Sequence, residues 1–82
     1  MTQLNLYSTS HCHLCELAEK LLKNLVNRYA FNWETIEIVE DETLLSRYAI
    51  LIPVIAEPNS GIEISWPFNA EDIVEKFTLK LR

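Results

Sequence analysis

Glycine is nearly absent from this chain: Gly61 is the sole example in 82 residues. That scarcity excludes flexible Gly-rich linkers and glycine-rich phosphate loops, both of which need several residues without a Cβ. Positive charge is also scarce, with seven Lys and Arg against twelve Asp and Glu and a formal net charge of −5. No basic patch interleaves with aromatics, so neither nucleic acid nor an anionic membrane is expected as a partner. Long hydrophobic runs are missing too. No stretch approaches the ~18 apolar residues of a membrane span, and residues 1 to 15 lack the basic region and apolar run of a targeting segment. Two cysteines are too few for a secreted disulfide scaffold, and their spacing suits a reducing compartment, where such a pair is redox-active or metal-binding. The expectation is a cytoplasmic monomer.

What is present is apolar material for one core, 49% of the residues, without internal repeats or low-complexity segments. Residues 1–82 therefore read as a single domain. Leu4, Leu6 and Ser8 alternate with Asn5 and Tyr7 in a first strand over residues 3 to 8. The period then changes to 3.6. Leu14, Leu17, Ala18, Leu21, Leu22, Leu25, Val26 and Tyr29 follow helical spacing, which predicts a helix of about four turns capped by Ser8, Thr9 or Ser10. Trp33, Thr35, Ile36, Ile38 and Val39 suggest a second strand over 32 to 39, parallel to the first through a right-handed crossover.

The acidic run Glu40-Asp41-Glu42 opens a short helix through Leu44, Leu45 and Tyr48, where negative charge meets the helix dipole. Pro53 removes a ladder donor and so is expected at the start of a third strand. Glu57-Pro58-Asn59-Ser60-Gly61 is the clearest turn, and Ile62 and Ile64 alternate beyond it, which makes an antiparallel hairpin. Asn69 and Asp72 form an acidic variant of the capping box before a last helix whose apolar face is Ala70, Ile73, Val74, Phe77 and Leu81. The implied α/β architecture is a four-stranded mixed sheet with three helices in the order β-α-β-α-β-β-α.

The chemistry-bearing stretch is His11-Cys12-His13-Leu14-Cys15, which falls at the change from strand to helix. A thiol attacks as its thiolate, and free backbone N–H groups with the positive end of a helix stabilise an anion at Cys12. Cys15 lies one turn inside and is expected to be less exposed. Cys12 thus reads as the attacking nucleophile and Cys15 as the resolving thiol. His11 and His13 flank Cys12, where an imidazolium lowers a thiol pKa and a neutral ring moves a proton; they are equally consistent with exposed turn residues. Four tetrahedral zinc ligands do not fit within five consecutive residues, so no intramolecular metal site is expected. A metal ion or iron-sulfur cluster shared between two chains through Cys12 and Cys15 stays open.

With Tyr7-Ser8 before the turn, Cys12-His13-Leu14-Cys15 at the helix start, Ile52-Pro53-Val54 downstream and Trp66-Pro67-Phe68 ending the hairpin, the chain resembles the thioredoxin superfamily. Within it, the resemblance is to the small bacterial glutaredoxin-like proteins and covers nearly the whole chain. It implies a thioredoxin/glutaredoxin-like fold and a thiol-disulfide oxidoreductase acting on protein or small-molecule disulfides. It also implies a cis bond before Pro53, with the main chain of Ile52 free to pair with an extended substrate. Cys12 and Cys15 would be catalytic; His11, His13, Ile52, Pro53 and Trp66 would contact substrate. No bound cofactor is implied; glutathione is a co-substrate, or another thioredoxin-type system is the donor.

The chain departs from typical glutaredoxins in three places. His13-Leu14 replaces Pro-Tyr between the cysteines, no lysine precedes Cys12, and Trp66-Pro67-Phe68 stands where a Gly-Gly-acidic segment helps hold glutathione, although Asn69, Glu71 and Asp72 follow. A binding module without turnover, with Tyr7, Trp66 and Phe68 as an apolar rim, is the alternative reading.

Overall fold

Alternation in the first strand decides how the molecule is layered. In the computed structural model, which describes all 82 residues, β1 spans Thr2–Ser8, and Leu4, Leu6 and Ser8 are buried on one face while Tyr7 points to the other. The remaining elements are α1 (His13–Leu25), β2 (Phe31–Glu37), α2 (Glu42–Tyr48), β3 (Val54–Glu57), β4 (Ile62–Ser65) and α3 (Ala70–Lys76). The sheet order is β2-β1-β3-β4. β1 and β2 are parallel from Thr2 opposite Phe31 to Ser8 opposite Glu37, whereas β1–β3 and β3–β4 are antiparallel. This is the mixed sheet of a thioredoxin-like α/β fold.

Two cores fill the layers. Leu4, Leu6 and Ile55 from the sheet pack with Ala18, Leu22 and Leu25 of α1, Ile73 of α3 and Phe77 just after it. On the other face Val54, with Tyr7 against it, meets Ile38 and Tyr48. The Tyr7 and Tyr48 rings stack at 4.5 Å and 13°, and the Tyr48 hydroxyl donates to Glu63 of β4. Tyr7 and the Trp66–Phe68 pair thus belong to different cores and make no common rim.

Several boundaries differ from the sequence reading. α1 stops at Leu25, four residues before Tyr29, because the amides of Asn27 and Arg28 turn back to the carbonyls of Asn24 and Leu25. Residues far along the chain then cover that terminus: Arg82 Nε donates to the Val26 carbonyl at 2.7 Å, and Tyr29 bridges Leu81. Such partners supply the carbonyls that a helix end leaves open. β2 begins one residue early, at the fully buried Phe31, and ends at Glu37, whose own carboxylate accepts the Val39 amide and folds the chain away. α3 ends at Lys76. Thr78 then takes φ 50°, which turns Leu79 into the core and leaves Leu81 72% exposed. β3 begins at Val54, just after Pro53.

Candidate active site

The parallel pairing of β1 with β2 and the antiparallel pairing with β3 bring three segments to one end of the sheet. Ser8 closes β1, Glu37 closes β2 opposite it, and Val54 opens β3 opposite Tyr7. The segment after Ser8 must turn from the sheet into α1 within four residues. His11 makes that turn in the left-handed region at φ 61°, which β-carbon-bearing residues seldom adopt but histidine tolerates better than most. The turn presents Cys12, not Ser8, Thr9 or Ser10, as the N-cap of α1. Its sulfur accepts the Cys15 amide at 3.2 Å, while its carbonyl accepts the Glu16 amide.

Cys12 and Cys15 form a disulfide with their Cα atoms 5.2 Å apart. Cys12 is half-buried and Cys15 only 4% exposed, in keeping with its place one turn inside the helix. A cavity of about 300 Å³ opens beside the pair. Its walls are the segment from Ser8 to Cys12, the side of α1 carrying Cys15, Glu16 and Glu19, and Thr35 with Glu37 from β2. A smaller cavity, about 140 Å³, lies apart from this chemistry between Leu25 and Tyr29 at one end and Ala70 and Val74 of α3 at the other.

Glu37 was not among the residues that the sequence singled out. One carboxylate oxygen accepts the Thr9 hydroxyl at 3.3 Å and the Ser10 amide at 3.2 Å, and the other accepts the Val39 amide at 3.1 Å. The Val39 amide above all, helped by Thr9 and the Ser10 and Ile38 amides, holds the carboxyl below the usual range against an opposing desolvation. Glu37 therefore clamps the segment that leads into Cys12. Its signal in the sequence was faint, one of two acids in a strand, at the position that pairs with the residue before Thr9.

The expected contact residues divide. His11 lines the cavity; His13 is outside its lining, 80% exposed, with Nδ1 3.8 Å from the Glu16 carboxylate. The Ile52–Pro53 bond is cis, and so is Trp66–Pro67. Pro53 is buried, and its carbonyl accepts the Trp66 amide at 3.0 Å, which extends the β3–β4 ladder past Val54. The Ile52 main chain is not wholly free. Its amide donates to the Tyr48 carbonyl at 3.1 Å, because α2 unwinds through the turn at Leu51 and Ile52. The Trp66 ring packs edge-on to Phe68 at 5.0 Å and 70° against the larger core, so its side chain serves burial.

Comparison with known families gives the same answer as this geometry. Residues 3–78 match the family model described as "Glutaredoxin-like domain (DUF836)". The chain belongs to the glutaredoxin-like family. Among solved structures, the X-ray structure of Northeast Structural Genomics target protein XcR50 from X. campestris is 36% identical. That match covers 85% of this chain and 88% of XcR50, with a TM-score of 0.72. The solution structure of XcR50 aligns over 89% and 87% of the two chains with a TM-score of 0.69. No curated protein matches the chain. A glutaredoxin-like domain with Cys12 and Cys15 at disulfide distance at the start of α1 has the material for redox chemistry.

Proposed function

We propose that this glutaredoxin-like protein is a dithiol-disulfide oxidoreductase. The observation that carries the reading is the Cys12 sulfur at the N-cap of a 13-residue helix, bonded to a buried Cys15 whose amide it accepts. In the reduced protein the same amide and the helix dipole favour the Cys12 thiolate. That thiolate attacks one sulfur of a substrate disulfide. The substrate S–S bond breaks, the first substrate sulfur leaves as a thiolate and takes a proton from water, and Cys12 holds the second in a mixed disulfide.

Cys15 then loses its proton and attacks the Cys12 sulfur. The second substrate thiolate leaves, and the Cys12–Cys15 bond closes. Two electrons pass from the dithiol to the substrate. Glutathione or a thioredoxin-type dithiol returns the protein to its reduced form. Substrates are protein or small-molecule disulfides, with His11, Ile52 and Pro53 as the residues expected to meet them. A cytoplasmic setting fits a pair that must be reduced to act.

The test is an alkylation-rate series against pH on the reduced protein, paired with the rate at which it reduces a synthetic mixed disulfide. The expected result is a Cys12 that titrates below an ordinary thiol and a reduction rate that Cys12→Ser abolishes. An ordinary thiol titration together with no disulfide reduction would overturn the reading.

A further inference from the structure

The cavity beside the disulfide is charged in one sense only. Glu16, Glu19 and Glu37 line it, and none of its ten lining residues is a lysine or an arginine. Two of these carboxylates have basic side chains beside them: Glu19 pairs with the Lys23 ammonium at 3.3 Å, and Glu16 faces the His13 imidazole. Both pairs are exposed, and such pairs hold their partners weakly. Lys20 and Lys23 line the adjoining groove on α1, not this one. Glu37 spends three acceptor positions on Thr9, Ser10 and Val39, out of the about four a carboxylate offers.

An independent feature lies at the cavity floor. Ser8 is only 6% exposed yet lines the cavity, and its hydroxyl takes no partner within the protein. No fully enclosed polar side-chain atom in the molecule lacks a partner, so this hydroxyl opens onto the cavity and is met by whatever enters it. Ser8 therefore offers an acceptor at the bottom of an acidic wall that begins at the reactive sulfur.

We propose that this cavity is a subsite for a cationic side chain, so that the preferred substrate is a polypeptide disulfide with lysine or arginine beside the reacting cysteine. An ammonium or guanidinium supplies only donors, matching a wall of carboxylates and hydroxyls. Glutathione, which carries two carboxylates and one ammonium, is disfavoured at the same wall. The inference rests on the oxidoreductase reading and names its substrate class.

The test uses three short peptides, each with one cysteine blocked as a mixed disulfide with 2-mercaptoethanol and flanked by lysine, glutamine or glutamate. Rate constants with the reduced protein are expected to fall in that order. The lysine-to-glutamate ratio should be about tenfold at low salt and approach unity in about 0.5 M salt, as screening requires. Glu16→Gln with Glu19→Gln should shrink the ratio. Glu34→Gln with Glu75→Gln, which removes the same net charge elsewhere, should not. Equal rates for all three peptides, or an equal effect of both variant pairs, would overturn the subsite while leaving the oxidoreductase intact.

A second measurement is independent of turnover. Serine versions of the peptides are titrated into the oxidised protein and read by amide chemical shifts. The lysine peptide should move Thr9, Ser10 and Glu16 more than the glutamate peptide does. Absence of that difference overturns the subsite whether or not any peptide disulfide is reduced.

Discussion

Replacing Tyr48 with phenylalanine removes one hydroxyl from the smaller core and leaves the ring stacked on Tyr7. Tyr48 is 3% exposed, and its hydroxyl donates to Glu63, whose side chain is 34% exposed. Burial, and then Glu63 as both acceptor and neighbouring charge, push the phenol from 10.0 up to about 12. A hydrogen bond to a charged group contributes about 1.5–3 kcal/mol, and because Glu63 regains water when the hydroxyl goes, the loss belongs near the lower end, about 1.5 kcal/mol. The pH dependence has a definite sign. Between 10 and 12 the unfolded chain releases the Tyr48 proton while the native protein keeps it, so stability is fully present below 10 and falls as pH rises through about 12.

A rise from 10.0 to about 12 corresponds to about 2.7 kcal/mol, which solvent at the hydroxyl end reduces to about 1–2 kcal/mol. Urea unfolding followed by Trp33 and Trp66 fluorescence, on wild type and Tyr48→Phe from pH 8 to 12, reads both numbers. The difference between the two proteins isolates Tyr48 from the other titrating groups. Wild type should lead by about 1.5 kcal/mol at pH 8 and lose that lead toward pH 12. A constant gap across the range would refute the reasoning. The matter bears on the site, since Tyr48 ends α2 and its carbonyl holds the Ile52 amide beside Pro53.

Leu22→Ala, at a position with no exposed surface in the larger core, should cost about 3 kcal/mol in urea unfolding. In a domain of this size that lowers the thermal midpoint by about 12–24 °C. Asn69→Ala breaks the reciprocal capping box with Asp72 and should cost about 1 kcal/mol by the same unfolding assay. Glu37→Gln should flatten the acid limb of the stability curve. The depressed carboxyl stabilises the native protein above its unfolded pKa, and that contribution disappears as pH falls through the folded value.

The larger periodicities were readable because burial on a helix or strand face writes them directly. Leu4 and Leu6 at period two, Ala18, Leu22 and Leu25 at period 3.6, and the Asn69–Asp72 box all stand where the pattern put them. Boundaries set by long-range partners were not. Nothing near Val26 in the sequence announces that Arg82 will close α1, and Leu81 fits the period of α3 although Thr78 breaks that helix before it. The cysteine pair was legible as a motif, and its resemblance carried the family. The acidic wall was not, because Glu37 and Glu16 meet only through the parallel β1–β2 pairing. The cap of α1 misled for a related reason: Ser8, Thr9 and Ser10 are all competent, but Thr9 and Ser10 are tied to Glu37, and Cys12 is left to cap.

The division of labour between the two sulfurs, on which the oxidoreductase reading depends, is tested most directly by mass spectrometry. Reduced Cys15→Ser and Cys12→Ser are each mixed with one equivalent of a synthetic disulfide and quenched with acid. Cys15→Ser should accumulate a stable mixed disulfide mapped to Cys12, Cys12→Ser should remain unmodified, and wild type should pass to the Cys12–Cys15 disulfide without a lasting adduct. Adduct on Cys15 at a comparable rate, or a stable adduct on wild type, would contradict it.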